Sequence, residues 1–320
     1  MPIPPLKETY SSSVNVATIG ATEADGGTRS KVIEVGGANA LPYLDFDGDV
    51  GRKPVIAMDV LDRVPTDWPD VLLKEYKDVA NDPGAWAKKC VEEHGADMIC
   101  VKLDGTNPDL DNKSADEAAA TVEAVLKAVS VPLIIWGCDV PEKDNEVMPK
   151  VSQAAKGERC LLGVVTQDNY KTLTAVCLAD GHNIIGLAPL DINIAKQVNV
   201  LLADMEFPSD RIVMFQTTGA LGYGIEYAYS IQERERLAAL GGDKMMAMPV
   251  ICDVGREAWR AKEAKTEDAE APEWGPQVER GPMWEGITAV TLLHAGADIF
   301  RMRHPKAVQY LRKTIDEFYG

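Results

Sequence analysis

The sequence is poor in the residues from which most metal and redox centres are built. It has four histidines and six cysteines in 320 residues. The cysteines, Cys90, Cys100, Cys138, Cys160, Cys177 and Cys252, are spread so widely that no pair has CxxC spacing. No local zinc site or iron–sulfur cluster motif is therefore written into the chain. Positive charge is also scarce: 33 Lys and Arg stand against 50 Asp and Glu, for a net charge of −17. Proteins that grip nucleic acid by its phosphates carry a basic face, so the composition argues against that partner. No apolar run approaches a membrane span, and the opening Met-Pro-Ile-Pro-Pro-Leu-Lys lacks the apolar stretch of a secretion signal. The expected setting is cytoplasmic, with reduced thiols.

Standard catalytic signatures are missing as well: there is no Gly-x-Ser-x-Gly elbow, no His-Glu-x-x-His and no Walker loop. What is present is a core, since 46% of the residues are hydrophobic. Short apolar runs recur at Pro54–Val60, Met98–Leu103, Pro132–Trp136, Cys160–Val165, Asn183–Leu187, Arg211–Phe215, Met248–Cys252 and Asp298–Met302. Runs apolar throughout, not alternating, are the strands of a parallel sheet covered on both faces.

Helical patterns separate them. Ser114 and Glu117 form a capping box ahead of a stripe of Ala118, Val122, Val125, Leu126 and Val129. A helix is expected over Asp168–Ala179, ending at Gly181. Pro305 opens the last helix, with Tyr310, Leu311, Ile315 and Phe318 expected to face inward. Eight strand–helix units in this length predict an α/β (β/α)8 TIM barrel over residues 54–320. Gly95-Ala96-Asp97 and Gly296-Ala297-Asp298, each just before a strand, echo one another. An open doubly wound sheet fits less well, because no Gly-x-Gly-x-x-Gly turn follows the first strand. Residues 1–53 form a separate extension. In it Val14–Ile19 and Lys31–Val35 flank Ala24-Asp25-Gly26-Gly27, which predicts a β-hairpin covering the N-terminal mouth of the barrel. Lys265–Pro282 reads as a long loop, either a partner contact or simply solvated.

Barrel enzymes work at the C-terminal ends of their strands. Those ends carry Asp59, Asp104, Asp139, Gln167, Asp191, Gln216, Asp253 and His304, with Lys102, Asn107, Asn193, Thr217, Thr218, Arg301 and Arg303 close by. Many of these Asp residues are equally suited to helix capping. His94 and His294 lie beside helix-ending glycines and suit helix C-termini. Asp180-Gly181-His182 approaches the Asp-x-His-x-x-Gly cobalamin-ligating signature, but its glycine comes one residue late, and we read it as coincidence. The most distinctive segment is Gln216-Thr217-Thr218-Gly219-Ala220-Leu221-Gly222-Tyr223-Gly224-Ile225-Glu226-Tyr227. Its glycines permit close approach or unusual dihedrals, and Leu221, Tyr223 and Tyr227 offer flat apolar surface. That combination suits a large planar ligand with amide edges, or alternatively a glycine-rich turn into a helix.

With the strand Val55-Ile56-Ala57-Met58-Asp59-Val60 and the turn at 95–97, this segment resembles the small (δ or β) subunit of the corrinoid iron–sulfur protein of the carbon monoxide dehydrogenase/acetyl-CoA synthase system. The resemblance spans nearly the whole chain. It implies a heterodimer whose large subunit carries the iron–sulfur cluster and most of the cobalamin site. The cobalamin would be shared between the subunits, with no catalytic residue or metal ligand on this chain. It further implies methyl transfer from methyltetrahydrofolate, through a methyltransferase, to acetyl-CoA synthase in the anaerobic reductive acetyl-CoA (Wood–Ljungdahl) pathway of carbon fixation. The corrin would be met by Gln216, Thr217, Thr218, Gly219, Ala220, Leu221, Gly222 and Tyr223. The competing readings are a free-standing pterin-binding barrel methyltransferase, using Asp59, Asp104, Asn107, Asp139 and Asn193, and a barrel that is purely a structural partner.

Overall fold

A computed structural model describes residues 6–320, so the first five residues of the expected extension lie outside it. Two strands, β1 (Val16–Ile19) and β2 (Ile33–Gly36), pair antiparallel. The other eight form one sheet: β3 (Val55–Leu61), β4 (Met98–Lys102), β5 (Leu133–Trp136), β6 (Leu161–Val165), β7 (Asn183–Leu187), β8 (Ile212–Phe215), β9 (Ile251–Asp253) and β10 (Ile299–Met302). All their pairings are parallel, in the order β8-β7-β6-β5-β4-β3-β10-β9. A single bridge between Met214 and Val250 brings β8 against β9 and nearly closes the barrel. That seam is thin because Pro249 has no N–H to give. Its carbonyl accepts from Met214 at 2.8 Å, and β9 begins at Ile251, later than the expected Met248.

The helices are α1 (Asp70–Leu73), α2 (Pro83–Glu92), α3 (Ala115–Ala128), α4 (Pro141–Ala154), α5 (Tyr170–Asp180), α6 (Ile192–Asp204), α7 (Ile225–Leu240), α8 (Val254–Arg260), α9 (Lys262–Lys265), α10 (Gln277–His294) and α11 (Pro305–Tyr319). The Ser114–Glu117 capping box is formed in full. The α5 helix starts two residues after Asp168, because the Asn169 Oδ1 accepts the Thr166 N–H at 2.7 Å and shapes the turn. In α11, Leu311 and Ile315 are buried as expected, whereas Tyr310 and Phe318 are exposed. Helical spacing carries Tyr310 off the inward face, whereas Phe318 shares the face of Leu311 and Ile315 but sits in the last turn of the helix. Tyr310 lies against Gly286, and Phe318 stands edge-on to Tyr43. The expected loop at 265–282 shrinks to 266–276, since α10 starts at Gln277 and Arg280 donates to the carbonyls of Glu263, Thr266 and Gly275. The two Gly-Ala-Asp turns do one job twice. Asp97 accepts the Ile56 N–H at 2.9 Å and Asp298 accepts the Val250 N–H at 2.8 Å, each tying its strand to a neighbour. Among the described residues, no helix is long and apolar enough to cross a membrane.

The hairpin plugs the bottom of the barrel. Ala17, Ile19, Ile33 and Val35 are buried in one cluster with the lower interior residues Ala57, Met98, Ile134, Leu161, Val213 and Ile299. Polar ties fasten the rim: the Asn183 Nδ2 donates to the Thr18 carbonyl at 2.9 Å, and the Arg29 Nε donates to Glu158 at 2.8 Å. Arg29 also donates to the carbonyls of Leu126 and Val129, which end α3. Instead of the short turn expected at 24–27, the link between β1 and β2 holds a helical turn at Glu23–Asp25, with Gly26 left-handed at φ 86°.

Ile19→Ala removes a wholly buried side chain from the plug, and large-to-small core changes of this kind cost about 2–5 kcal/mol. Urea unfolding should show a lower midpoint with an unchanged slope. A loss below about 1 kcal/mol would mean that the hairpin does not seal the barrel.

Candidate functional site

Alternation along the strands sends one set of side chains inward. In the lower half of the barrel that set is apolar; in the upper half it turns ionic. Arg301 is wholly buried on β10, its guanidinium 2.9 Å from Asp59 on β3 and 3.0 Å from Asp253, its register partner on β9. The guanidinium carbon lies 4.1 Å from the centroid of the Trp136 ring. Arg303 adds a second contact to Asp59, at 3.1 Å, and lies over the Trp68 ring. Burial pushes the Asp59 carboxyl up, but the two guanidinium groups outweigh it and hold its pKa below the usual carboxylate value.

A second ionic group spans the opening above. Lys102, buried at the end of β4, donates to Asp139 at 2.8 Å and lies 3.4 Å from Asp104. Asp139 also accepts from the Trp136 indole at 2.8 Å and from Arg256 of α8 at 2.9 Å. One carboxylate thus serves cations from opposite sides of the mouth. Burial acts to raise its pKa, yet Lys102 and Arg256 hold it well below the ordinary range. The Asp139–Arg256 contact divides the mouth into two basins. The larger, of about 400 Å³, lies over the ends of β3, β4 and β10 and includes Trp68, Asp104 and Asn107. The smaller, of about 260 Å³, has Trp136, Val164, Leu187 and Phe215 in its lining, with Thr217 at the edge. Asp139 and Thr217 are non-glycine residues with left-handed backbones, at φ 67° and 54°. Such conformations cost energy and persist where the surroundings enforce them.

The glycine-rich loop leaves this rim and runs outward over α10. Gln216 is buried with both amide atoms unpartnered. Thr217 faces the smaller basin, and Thr218 is turned inward, its hydroxyl accepting the Asp253 N–H at 2.8 Å. Gly219 packs so tightly on the Gly224 backbone that a Cβ there would clash, and Ala220 is buried beside it. The Leu221 N–H donates to Thr288 at 3.2 Å, and its carbonyl accepts from the Trp284 indole at 3.0 Å. Gly222 is left-handed and exposed. The Tyr223 ring is half exposed, its hydroxyl donating to Glu263 at 3.0 Å and accepting the Lys262 N–H at 3.0 Å.

The remaining strand-end residues are structural. Asp191 caps α6 by accepting from Asn193 and Ile194, and Asn193 itself is exposed. Gln167 bonds Gln197, and the Asn107 side chain accepts from Asp109. His304 caps α11 through its Nδ1, and burial lowers its pKa to about 4. His182 is buried with both ring nitrogens engaged, at Cys160 and Ser152, so the near-motif at 180–186 has no free imidazole. His294 ends α10 and packs against Tyr43, while His94 lies just past α2 near Tyr76. All six cysteines are buried and unpaired. Among the described residues, no group of three His, Cys, Asp or Glu is placed to hold a metal ion. Sequence reasoning passed over Arg256 and Arg260, whose i, i+4 spacing directly after Asp253 was the available signal.

Behind the mouth, the Glu285 carboxylate joins three elements: it accepts from the Trp259 indole at 2.6 Å and from the backbone N–H groups of Arg303 at 2.5 Å and His304 at 3.0 Å. Burial outweighs these donors and lifts its pKa from 4.5 to about 7. The folded chain therefore keeps a proton that the unfolded chain loses above 4.5. The stability this proton lends is complete below pH 4.5 and fades as pH climbs to 7. Glu285→Gln abolishes the titration, so the stability gap between wild type and variant should shrink by about 3 kcal/mol between those limits. Denaturant unfolding at half-unit pH steps measures it, and a gap independent of pH would contradict the assignment.

Comparison with known proteins matches this geometry to a family. A family model described as CO dehydrogenase/acetyl-CoA synthase delta subunit matches residues 18–269. The acetyl-CoA decarbonylase/synthase complex subunit delta of Archaeoglobus fulgidus is 40% identical over 321 aligned residues, covering 99% of this chain and 71% of that protein. Subunit delta 1 from Methanosarcina thermophila is 39% identical over 318 residues, 97% of this chain and 72% of that one. Among solved structures, dihydropteroate synthase from Xanthomonas albilineans, with 4-aminobenzoic acid, aligns at a TM-score of 0.56 over 83% of this chain and 92% of its own, with 12% identity. The enzyme from Stenotrophomonas maltophilia gives 0.56 over 84% and 94%, with 16% identity. Those two likenesses are of fold. The family match runs from the first strand of the plug, through the glycine-rich loop, to Ala269, and takes in Asp59, Lys102, Asp139, Asp253 and Arg256 of the mouth; the chain belongs to the CO dehydrogenase/acetyl-CoA synthase delta subunit family.

Proposed function

We propose that this chain is the barrel subunit of a cytoplasmic, heterodimeric corrinoid iron–sulfur protein, whose large subunit carries the iron–sulfur cluster and the greater part of the cobalamin site. The pair carries a methyl group from methyltetrahydrofolate, delivered by a methyltransferase, to the acetyl-CoA synthase/carbon monoxide dehydrogenase partner. The observation that carries this reading is the loop at 216–223, which follows β8 directly and brings Thr217 to the edge of the smaller basin. Family membership favours it over a free-standing methyltransferase. So does the state of the acids that the methyltransferase would need: Asp59 and Asp139 are already committed to arginine and lysine.

The loop suits a corrin. Gln216 holds one unpartnered donor and one unpartnered acceptor, the complement of peripheral amides. Thr217 offers a hydroxyl at the basin edge, and Gly222 and Tyr223 offer exposed backbone and a half-exposed ring. Thr218, Gly219, Ala220 and Leu221 hold those four in place, through Asp253, Gly224 and α10. Bound cobalamin supplies a cobalt that takes up and gives away a methyl group. The chain's own work is to bond the corrin edge at Gln216 and Thr217, lay Tyr223 beside the ring and keep water from the smaller basin. The loop is pinned to α10 on its outer side, which leaves its basin side open to partners.

Co-purification of the chain with its large subunit, followed by cobalamin absorbance, tests the reading. Thr217→Ala and Gln216→Ala should each weaken cobalamin retention about tenfold, the worth of one well-made hydrogen bond in a closed site. The subunit pair itself should remain intact on gel filtration. Wild-type retention in both variants would refute direct contact with the corrin.

A further inference from the structure

We propose that the larger mouth basin is a second ligand site, separate from the loop at 216–223, which takes a small molecule bearing an oxyanion, carboxylate or phosphate. The chain as a whole carries −17, yet six cations face this basin: Arg63, Lys102, Arg256, Arg260, Lys265 and Arg303. Only Asp67, Asp104 and Asp139 oppose them in the lining. Asp111, Asp59 and Glu257, just outside the lining, pair with Arg63, Arg303 and Arg260, so the basin is a dense array of cations in an acidic protein and not a net positive field.

The cations are held as a built site would hold them. Lys102 and Arg303 form its inner part, with side chains 3% and 8% exposed, fixed by Asp139 and Asp59. The Asp139 carboxylate is divided between Lys102 and Arg256, whose other acidic neighbours, Asp104 and Glu257, lie farther off at 3.4 and 3.9 Å. Arg260 and Lys265, on the short α8–α9 arm, stand at the rim, Arg260 being 61% exposed and 3.1 Å from Glu257. Arginine forks match carboxylate and phosphate oxygens in pairs. A volume of about 400 Å³ admits the anion together with an organic body, and Leu61, Pro65 and Trp68 give that body apolar wall. The Asp139–Arg256 contact stands between this basin and Thr217, so occupancy here leaves the corrin-facing edge free.

Calorimetric titration of the 320-residue chain with inorganic phosphate, and in parallel with citrate, tests the site, with sodium chloride at matched ionic strength as the control. Saturable binding of at least one anion is expected. Arg260→Ala combined with Lys265→Ala should weaken it tenfold or more, while Lys313→Ala, exposed on α11, should leave it unchanged. Saturation by phosphate alone identifies a phosphate-bearing ligand, and by citrate alone a carboxylate. Heats no larger than the chloride control for both anions, or wild-type affinity in the double variant, would overturn the proposal. Both altered side chains lie at the rim, and circular dichroism of the variant confirms its fold. The titration needs no cobalamin, so its failure is distinct from failure of the corrinoid reading.

Discussion

One buried guanidinium organises the upper half of this barrel. Arg301 has no exposed surface and must find its compensation inside. Removing a charge from water costs several kcal/mol, and only close, well-oriented partners recover it. The fold supplies close carboxylates on the two strands that flank β10, Asp59 on β3, which accepts from the Arg301 Nε, and Asp253 on β9, with the Trp136 ring against one face. Their positions are set by strand register, so the pleat of β3, β9 and β10 has to be kept for the ion group to close. The glycine-rich loop inherits that order: Asp253 presents the N–H that binds Thr218, and Thr218 fixes the exit of the loop from β8.

The barrel was legible because its signal is repetitive. Eight apolar runs with helices between them leave few alternatives, and every run yielded a strand. Errors gathered where a local rule met a tertiary contact. The expected strand from Met248 failed at Pro249, which cannot join the ladder. Tyr310 and Phe318 are expected core residues that the structure exposes, Tyr310 because it lies off the face of Leu311 and Ile315, and Phe318 because that face runs out at the end of α11. Residues 277–282 read as loop because Gly281 and Pro282 are weak helix formers, and the ties from Arg280 that steady the start of α10 span up to 17 positions.

The site was harder to read. Strand-end acids were visible as a set, but the sequence could not divide structural pairs from free groups. Asp59, Asp139 and Asp253 are spoken for by cations up to 244 residues away, a distance no motif records. Gln216 to Tyr223 stood out through composition, yet composition could not say which of them faces the basin. The structure separates Thr217, at the cavity edge, from Thr218, which is turned into the core one residue later.

The hairpin under the barrel has a consequence for traffic. With Ile19 and its neighbours filling the lower end, the upper interior is a blind alley with a single doorway. Nothing that enters can leave by the far side, and two large visitors cannot stand in the same doorway together. On the methyl-carrying role proposed above, donor and acceptor take turns at one face, and the order of their visits is set by departure as much as by arrival. A subunit shaped this way works as a turnstile rather than a tunnel.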